Sequence, residues 1–537
     1  MYYMLLLQTH DRLKRMLPLL GLAAILCIVI CYNVLWLTRT YSYAPFFEPD
    51  NYMYYKYAMQ VVAGVPQVNT QLVGYGTLPF FEHPGLYLLP AELSLLLHAN
   101  LVYVFYSLIL ILIALDMFLI YKLIHSFYEM MLLPPHLEYF AVALAFLFPL
   151  LLYQFEPIEW RGNLFLTTIA LCMAWTFFKQ FTLKGWARLP YLVGAVVLIP
   201  ISWYMWSGWY AVTPAFFALM LVFTYMPDAL TTRRRVLVLC GALGVILLAL
   251  FVFNADAVVL FSDLVSYLHL GGTSCLVNPL HISEVECLTP ANGLTLVVSS
   301  LLVFLFGIVT VWKHCVDKRR LNFYIYLFLA VGIAWLPIAM LYVRAVTMLA
   351  PFLSVGFGVG YSAIQYKSGD SLAGKLIQSA IMITVIGGLL YFMYAFYIQS
   401  YIQYQIDNPA FLPGAAHVLD MQNGTVNLLT FYAYGDWFEA YTHVNVYADT
   451  VQGGNPAIVE AINTFLLANS SSACGLVANS FSVEPNYILV SKMFKGYVPL
   501  MNASNSSVLE DPTILTKCGF RDIYTSQNTT IWSREAR

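Results

Sequence analysis

The sequence predicts a polytopic α-helical membrane protein with an external C-terminal α/β domain. Three observations carry that prediction. Hydrophobic residues make up 60% of the 537 positions and charged residues only 10%. Apolar runs near the ~20 residues needed to cross a bilayer recur along the first three quarters of the chain. Basic residues alternate between successive loops. A mean hydropathy of +0.72 lies well outside what soluble globular chains show.

About eleven spans are expected from the length of the apolar runs. They lie near 17–37, 101–124, 135–153, 164–181, 190–206, 210–226, 235–254, 293–312, 322–342, 346–365 and 376–397. Arg12, Lys14 and Arg15 precede the first run and place the N-terminus inside. That run has no small-residue cleavage site after it and reads as an anchor. Every second loop is then cytoplasmic. Those loops and their edges hold Lys122, Lys179, Lys184, Arg188, Arg233, Arg234, Arg235, Lys313, Lys318, Arg319, Arg320, Lys367 and Lys375. The opposite loops hold only Arg39, Lys56, Arg161 and Arg344. An odd number of spans leaves the C-terminus outside.

The chain divides near residue 398. Residues 1–397 form the transmembrane domain, with long external loops at 38–100 and 255–292. Residues 398–537 are more polar and richer in turn residues, and read as an external soluble α/β domain of ordinary size. The N-x-S/T sequons all fall in this second part, at Asn423, Asn469, Asn502, Asn505 and Asn528. Their confinement to the segment placed outside favours real glycan acceptors. The nine cysteines include no CxxC pair, which argues against a zinc site. Cys474 with Cys518, and Cys275 with Cys287, are either disulfides of an oxidising exterior or free thiols. A net charge of −2 argues against nucleic acid as a main partner.

The polar residues of the external loops need explaining. The stretch Glu48-Pro49-Asp50-Asn51-Tyr52 follows the first span directly, and a carboxylate at a membrane edge is costly unless it meets a cation, a donor or a substrate. The loop after the third span holds Glu156, Glu159, Arg161 and Asn163. The long loop at 255–292 holds Asp256, Asp263, His281, Glu284 and Glu286. All lie on one face in this topology. Carboxylates converging from separate loops suit a hard divalent cation, Mg²⁺ or Mn²⁺. For Glu92, Asp256 and Glu286 a solvated loop acid is the ordinary reading.

Four places resemble the catalytic subunit of oligosaccharyltransferase, in the single-chain archaeal and bacterial form of the C-type glycosyltransferases. Glu48-Pro49-Asp50-Asn51-Tyr52 is similar to the family's first acidic motif. His281-Ile282-Ser283-Glu284 resembles the motif that ends in a glutamate in the last long external loop. Arg344, leading an apolar stretch to Pro351, resembles the family's Arg-then-apolar-Pro span start. Phe431-Tyr432-Ala433-Tyr434-Gly435 resembles the WWDYG signature, with Ala448-Asp449 downstream. The second acidic motif falls on Glu159-Trp160-Arg161-Gly162-Asn163, where either Glu159 or Asn163 fills the ligand place. Ala433 stands where the signature has Asp, with Asp436 or Glu439 nearby but out of register. Lys492 and Lys495 lie in the region of the family's DxxK helix without its spacing.

The resemblance implies transfer of a glycan from a polyprenyl (dolichyl) phosphate or pyrophosphate carrier to the Asn of an N-x-S/T sequon in an acceptor polypeptide. It implies Asp50, Glu284 and Arg344 as catalytic residues. Asp50, Glu159, Asn163 and Glu284 are the implied ligands of Mn²⁺ or Mg²⁺. Phe431, Tyr432 and Tyr434 would face the acceptor Ser/Thr. The site would open on the external face of a cell membrane, most naturally an archaeal one, with membrane lipids around the spans. Two alternatives stand beside this reading. One is a related polyprenyl-phosphate-dependent transferase for O-glycosylation or glycolipid building, which Ala433 favours. The other is a lipid or sugar transporter, which the scarcity of midplane charges disfavours; Asp116 is the clearest such charge.

Overall fold

The computed structural model describes residues 49–65, 68–69, 78–79, 84–131, 135–146, 162–205, 212–225, 294–312, 318–335, 344–368, 371–381, 411–448, 456–496, 503–526 and 528–534, with a few single positions between. The first described element is helix α1, Pro49–Val62. Proline suits a first helical position because its missing N–H has no intrahelical acceptor there. The other end closes on glycine. Gly64 takes φ +68°, its N–H reaches the Val61 carbonyl, and the Val65 N–H reaches that of Gln60. These two bonds satisfy carbonyls that the helix end would otherwise orphan. A short antiparallel ribbon follows, β1 (Val68–Asn69) with β2 (Leu78–Pro79), and then α2 (Pro84–Leu97). The long stretch after the first predicted span therefore has structure of its own.

The apolar helices come next: α3 (Leu101–Met131), α4 (Pro135–Phe146), α5 (Gly162–Thr182), α6 (Leu189–Met205), α7 (Val212–Tyr225), α8 (Leu294–Trp312), α9 (Lys318–Ala334) and α10 (Arg344–Ser368). Among the described residues, four segments are long and apolar enough to cross a membrane: Leu101–Met131, Leu164–Thr182, Gly185–Met205 and Met348–Tyr366. The expected spans at 17–37 and 235–254, and most of 376–397, lie outside the described residues. Helix α10 is the centre of the bundle. It packs on α3, α4, α5, α8 and α9, and its apolar window is wholly buried among them. Helix α6 is the opposite case. It exposes Val193, Val196, Val197, Ile201 and Trp203. An apolar face of that extent is at home in lipid.

Small residues bring α8 and α10 together. A Cβ on Gly360 would lie 2.5 Å from the Val303 carbonyl oxygen, and one on Gly307 would lie 2.4 Å from that of Gly360. With no apolar drive between helices in lipid, such close backbone approach supplies the packing. Gly360→Leu is expected to destabilise the bundle by about 1–3 kcal/mol through overpacking. Gly332→Ala on α9 is the control, since nothing among the described residues lies within 4 Å of its Cβ. It should be neutral or slightly stabilising in detergent-solubilised thermal unfolding. Equal losses from both would contradict the close approach.

Helices α3, α5 and α10 run in one direction. Tyr128, near the end of α3, donates a 2.6 Å hydrogen bond to Gln365 near the end of α10. Tyr324 of α9 meets both Phe127 of α3 and Phe178 of α5, and its hydroxyl donates to the Leu123 carbonyl at 2.7 Å. The starts of α3, α5 and α10 therefore share one end of the bundle.

Residues 411–534 build a mixed sheet with helices. Helix α11 (Leu412–Asp420) precedes β3 (Asn427–Leu429), α12 (Tyr432–Tyr441) and β4 (Asn445–Val446). Then come α13 (Pro456–Leu467), α14 (Ala473–Asn479), β5 (Tyr487–Ser491), β6 (Phe520–Ser526) and β7 (Thr529–Arg534). The strand order is β4-β3-β5-β7-β6. Strand β3 is parallel to both β4 and β5, so α12 is a crossover helix between parallel neighbours. Strands β5, β7 and β6 are antiparallel. Cys474 and Cys518 form a disulfide that ties α14 to the turn before β6. Cys275 and Cys287 lie outside the described residues.

Candidate active site at the interface of α1 and α12

Asp50 sits in the first turn of α1, and the rest of that helix is built to be covered. Asn51, Tyr52, Met53, Tyr54, Lys56, Tyr57 and Ala58 are all buried. Tyr57 meets Tyr87 of α2 with ring centroids 5.7 Å apart, and Tyr55 meets Phe105 of α3 at 6.3 Å. These contacts seat α1 at the end of the bundle where α3 begins. Asn163 is the second residue of α5 and Arg344 the first of α10. Their backbones start elements at that same end. Glu159 and Glu284 lie outside the described residues.

The other face of α1 meets α12. Tyr52 lies edge-on to Tyr441 at 5.9 Å, and Tyr55 lies 6.2 Å from the same ring. Trp437 backs Tyr441 at 4.9 Å. Beside this aromatic contact, Lys56 Nζ donates to Glu439 Oε2 at 3.0 Å. The two side chains are only 5% and 1% exposed. A lysine so deeply buried requires a partner, because an isolated charge in such a place is prohibitive. Removing one member of a buried pair typically costs about 3–5 kcal/mol, because the other charge is left uncompensated. Burial pushes the Glu439 carboxyl above the usual glutamate range, and the Lys56 ammonium opposes that shift. Beside the pair runs an open groove of about 460 Å³, lined by Lys56, Met59 and Gln60 on one wall and Glu439, Thr442 and His443 on the other.

The motif that opens α12 is placed by the sheet. Phe431 follows the carboxyl end of β3 in extended conformation, and Tyr432 begins the helix. Phe431 and Tyr434 are fully buried. Both rings pack on Phe494, which follows the carboxyl end of β5, with centroids 5.7 and 4.9 Å away. Tyr432 alone of the three aromatics keeps exposed surface. Asp436 is fully buried and Glu439 is tied to Lys56, so neither carboxylate stands open to an acceptor hydroxyl. Lys495 pairs with Glu510 at 2.7 Å, with Lys492 at 4.0 Å from the same carboxylate.

Among the described residues no three His, Cys, Asp or Glu side chains cluster so as to hold a metal ion. Of the sequons, Asn423, Asn469, Asn505 and Asn528 are exposed, and Asn502 lies outside the described residues. Asn469 Oδ1 accepts from the Ser471 hydroxyl at 2.6 Å, whereas Ser507, the hydroxyl residue after Asn505, is fully buried.

Sequence reasoning missed the Lys56–Glu439 pair. One signal was available: a lone lysine inside a tyrosine-rich helix on the cation-poor side of the topology. Its partner lies 383 positions away.

Comparison with solved structures gives the fold, a helical bundle joined to a mixed sheet. The chain is similar to the apo crystal structure of the Archaeoglobus fulgidus oligosaccharyltransferase, with a TM-score of 0.58 and 15% identity over 97% of this chain and 75% of that one. It is similar to the same organism's oligosaccharyltransferase AglB in complex with an inhibitory peptide and a dolichol-phosphate, with a TM-score of 0.54 and 14% identity over 96% and 74% of the two chains. ArnT from Cupriavidus metallidurans bound to undecaprenyl phosphate matches at a TM-score of 0.50 and 10% identity, over 96% of this chain and 97% of that one. No family model and no curated protein matches the chain by sequence.

Proposed function

We propose that the chain is a membrane glycosyltransferase that moves a glycan from a polyprenyl (dolichyl) phosphate or pyrophosphate carrier to the Asn of N-x-S/T sequons. The observation that carries this reading is the docking of α1, which holds Asp50 in its first turn, onto α12, whose first turn carries the aromatic motif. It lies at the end of the bundle where α5 and α10 begin, with Asn163 second in α5 and Arg344 first in α10. The solved neighbours of this fold bind a dolichol-phosphate, a peptide and undecaprenyl phosphate, which supports a lipid-linked donor and a polypeptide acceptor.

The chemistry suits these residues. An amide nitrogen is a weak nucleophile because its lone pair is conjugated, and breaking that conjugation in a peptide bond costs about 18–20 kcal/mol. Carboxylates from Asp50 and Glu284 accepting hydrogen bonds from the NH₂ would orient it and offset part of that cost. Arg344, always charged and fork-shaped, suits the phosphate leaving group. Asp50, Glu284 and either Glu159 or Asn163 are the donors that would hold Mn²⁺ or Mg²⁺, whose chemistry there is neutralisation of phosphate charge. Tyr432 is the aromatic left to meet the acceptor hydroxyl.

The test is incubation of the purified chain with a lipid-linked oligosaccharide and a labelled N-x-T peptide, with Mn²⁺, with Mg²⁺ and with EDTA. Glycopeptide should form with metal and not with EDTA. No glycopeptide under any condition overturns the reading. A second acceptor class, a hydroxyl of a protein or lipid, is favoured by Ala433 together with the burial of Phe431 and Tyr434. Undiminished peptide glycosylation by Tyr432→Ala would remove α12 from acceptor recognition.

A further inference from the structure

We infer that Lys56 and Glu439 are a positioning pair for transfer: their buried contact sets how α1 crosses α12, and so sets the place of Asp50 relative to the acceptor motif. This rests on the function proposed above and adds residues that the motif resemblance does not reach.

Adhesion between the two helices does not need the pair. Tyr52 and Tyr55 already supply an aromatic contact to Tyr441, which Trp437 backs from within α12. A buried ion pair is also a poor source of stability, because desolvating two charges offsets most of their attraction, and apolar replacements of similar volume are often neutral or better. What an ion pair gives that an apolar contact does not is a single registry. Aromatic rings slide and tilt against one another at little cost. A 3.0 Å contact between an ammonium and a carboxylate whose side chains are almost wholly buried favours one arrangement. Glu439 Oε1 has no hydrogen-bond partner among the described residues. Lys56 is thus the contact that fixes the carboxylate.

The leverage is large. Along α1 the six residues from Lys56 back to Asp50 span about 9 Å, at 1.5 Å per residue. Along α12 the seven residues from Glu439 back to Tyr432 span about 10 Å on the same rise. A change of about 15° in the crossing moves each end by roughly 2.5 Å, and misplacement of only about 1 Å can cost 10²-fold in rate. The pair touches neither substrate nor reacting atoms in this account. It acts through the helices that carry the groups that do.

The experiment compares the full chain with Lys56→Met/Glu439→Leu and with the swap Lys56→Glu/Glu439→Lys. Single variants are expected to fold poorly, so the doubles carry the test. Two readouts are taken. The first is kcat and KM for a sequon peptide. The second is the distance between spin labels at exposed Val62, at the end of α1, and exposed Met421, at the end of α11. The apolar double should keep the wild-type melting temperature, lose at least tenfold in kcat with little change in KM, and show a broadened or displaced distance distribution. The swap should recover a narrow distribution and most of kcat. An apolar double with wild-type kcat and a wild-type distance distribution overturns the inference. If the wild type yields no glycopeptide while the apolar double still displaces the distance, the transfer reading falls and the registry role stands. An unchanged distance in that circumstance overturns the registry as well.

Discussion

Asp50→Ala is expected to reduce glycan transfer by about 10³-fold or more, the scale of losing one preorganised group that acts only in the transition state. The loss should appear in kcat, because a carboxylate that orients the nucleophile contributes little to holding carrier or peptide in the ground state. The protein should remain folded. Helix α1 is held by residues other than Asp50. Proline starts it, the Gly64 turn ends it, and Tyr52, Tyr55, Lys56 and Tyr57 dock it on three sides. Asp50→Asn is the sharper variant, since it keeps size and removes charge. Equal melting temperatures with activity reduced in both variants would place the defect in the chemistry. Near-wild-type turnover in either would mean that the site lies elsewhere.

Replacing Cys474 and Cys518 together by serine should destabilise the sheet-bearing region by about 4 kcal/mol, the loop-closure value for residues 44 apart. The bond joins α14 to the turn that feeds β6, and β6 is an edge strand held only by β7. Loss of the link frees that edge first. Hydrogen exchange should therefore rise over β6 and β7 before it rises in β3 and α12, and the apolar helices should be unaffected. An unchanged melting temperature in the double variant, or in the wild type under reductant, would contradict the bond.

The fold class was legible because a membrane span leaves a strong local signature. The runs that became α3, α5, α6 and α10 are long, apolar and poor in charge, which is the signature a membrane-crossing helix leaves in a sequence. The composition also changes near residue 398, and among the described residues the five-stranded sheet lies wholly after it. Asp50 is conspicuous in the sequence because a carboxylate directly follows an apolar run, and its role is the proposal made above. Phe431 and Tyr434 show the limit. Aromatics in a short motif look the same in sequence whether they face a ligand or a core, and here Phe494, about sixty positions on, takes both rings. Glu439 shows it again. As a stand-in for the missing Asp it was plausible by composition, but a partner 383 positions away commits it to Lys56. Long-range pairing of this kind is set by the assembled bundle, and a single sequence does not carry it.

The most direct measurement is mass spectrometry of two peptides after incubation with the purified full chain and a polyprenyl-linked glycan. One carries N-x-T and the other Q-x-T. The account predicts the intact glycan mass on the Asn of the first peptide, nothing on the second, and loss of the product in Asp50→Asn. Glycan on a hydroxyl of both peptides, or on neither while the lipid-linked donor is consumed, would contradict it.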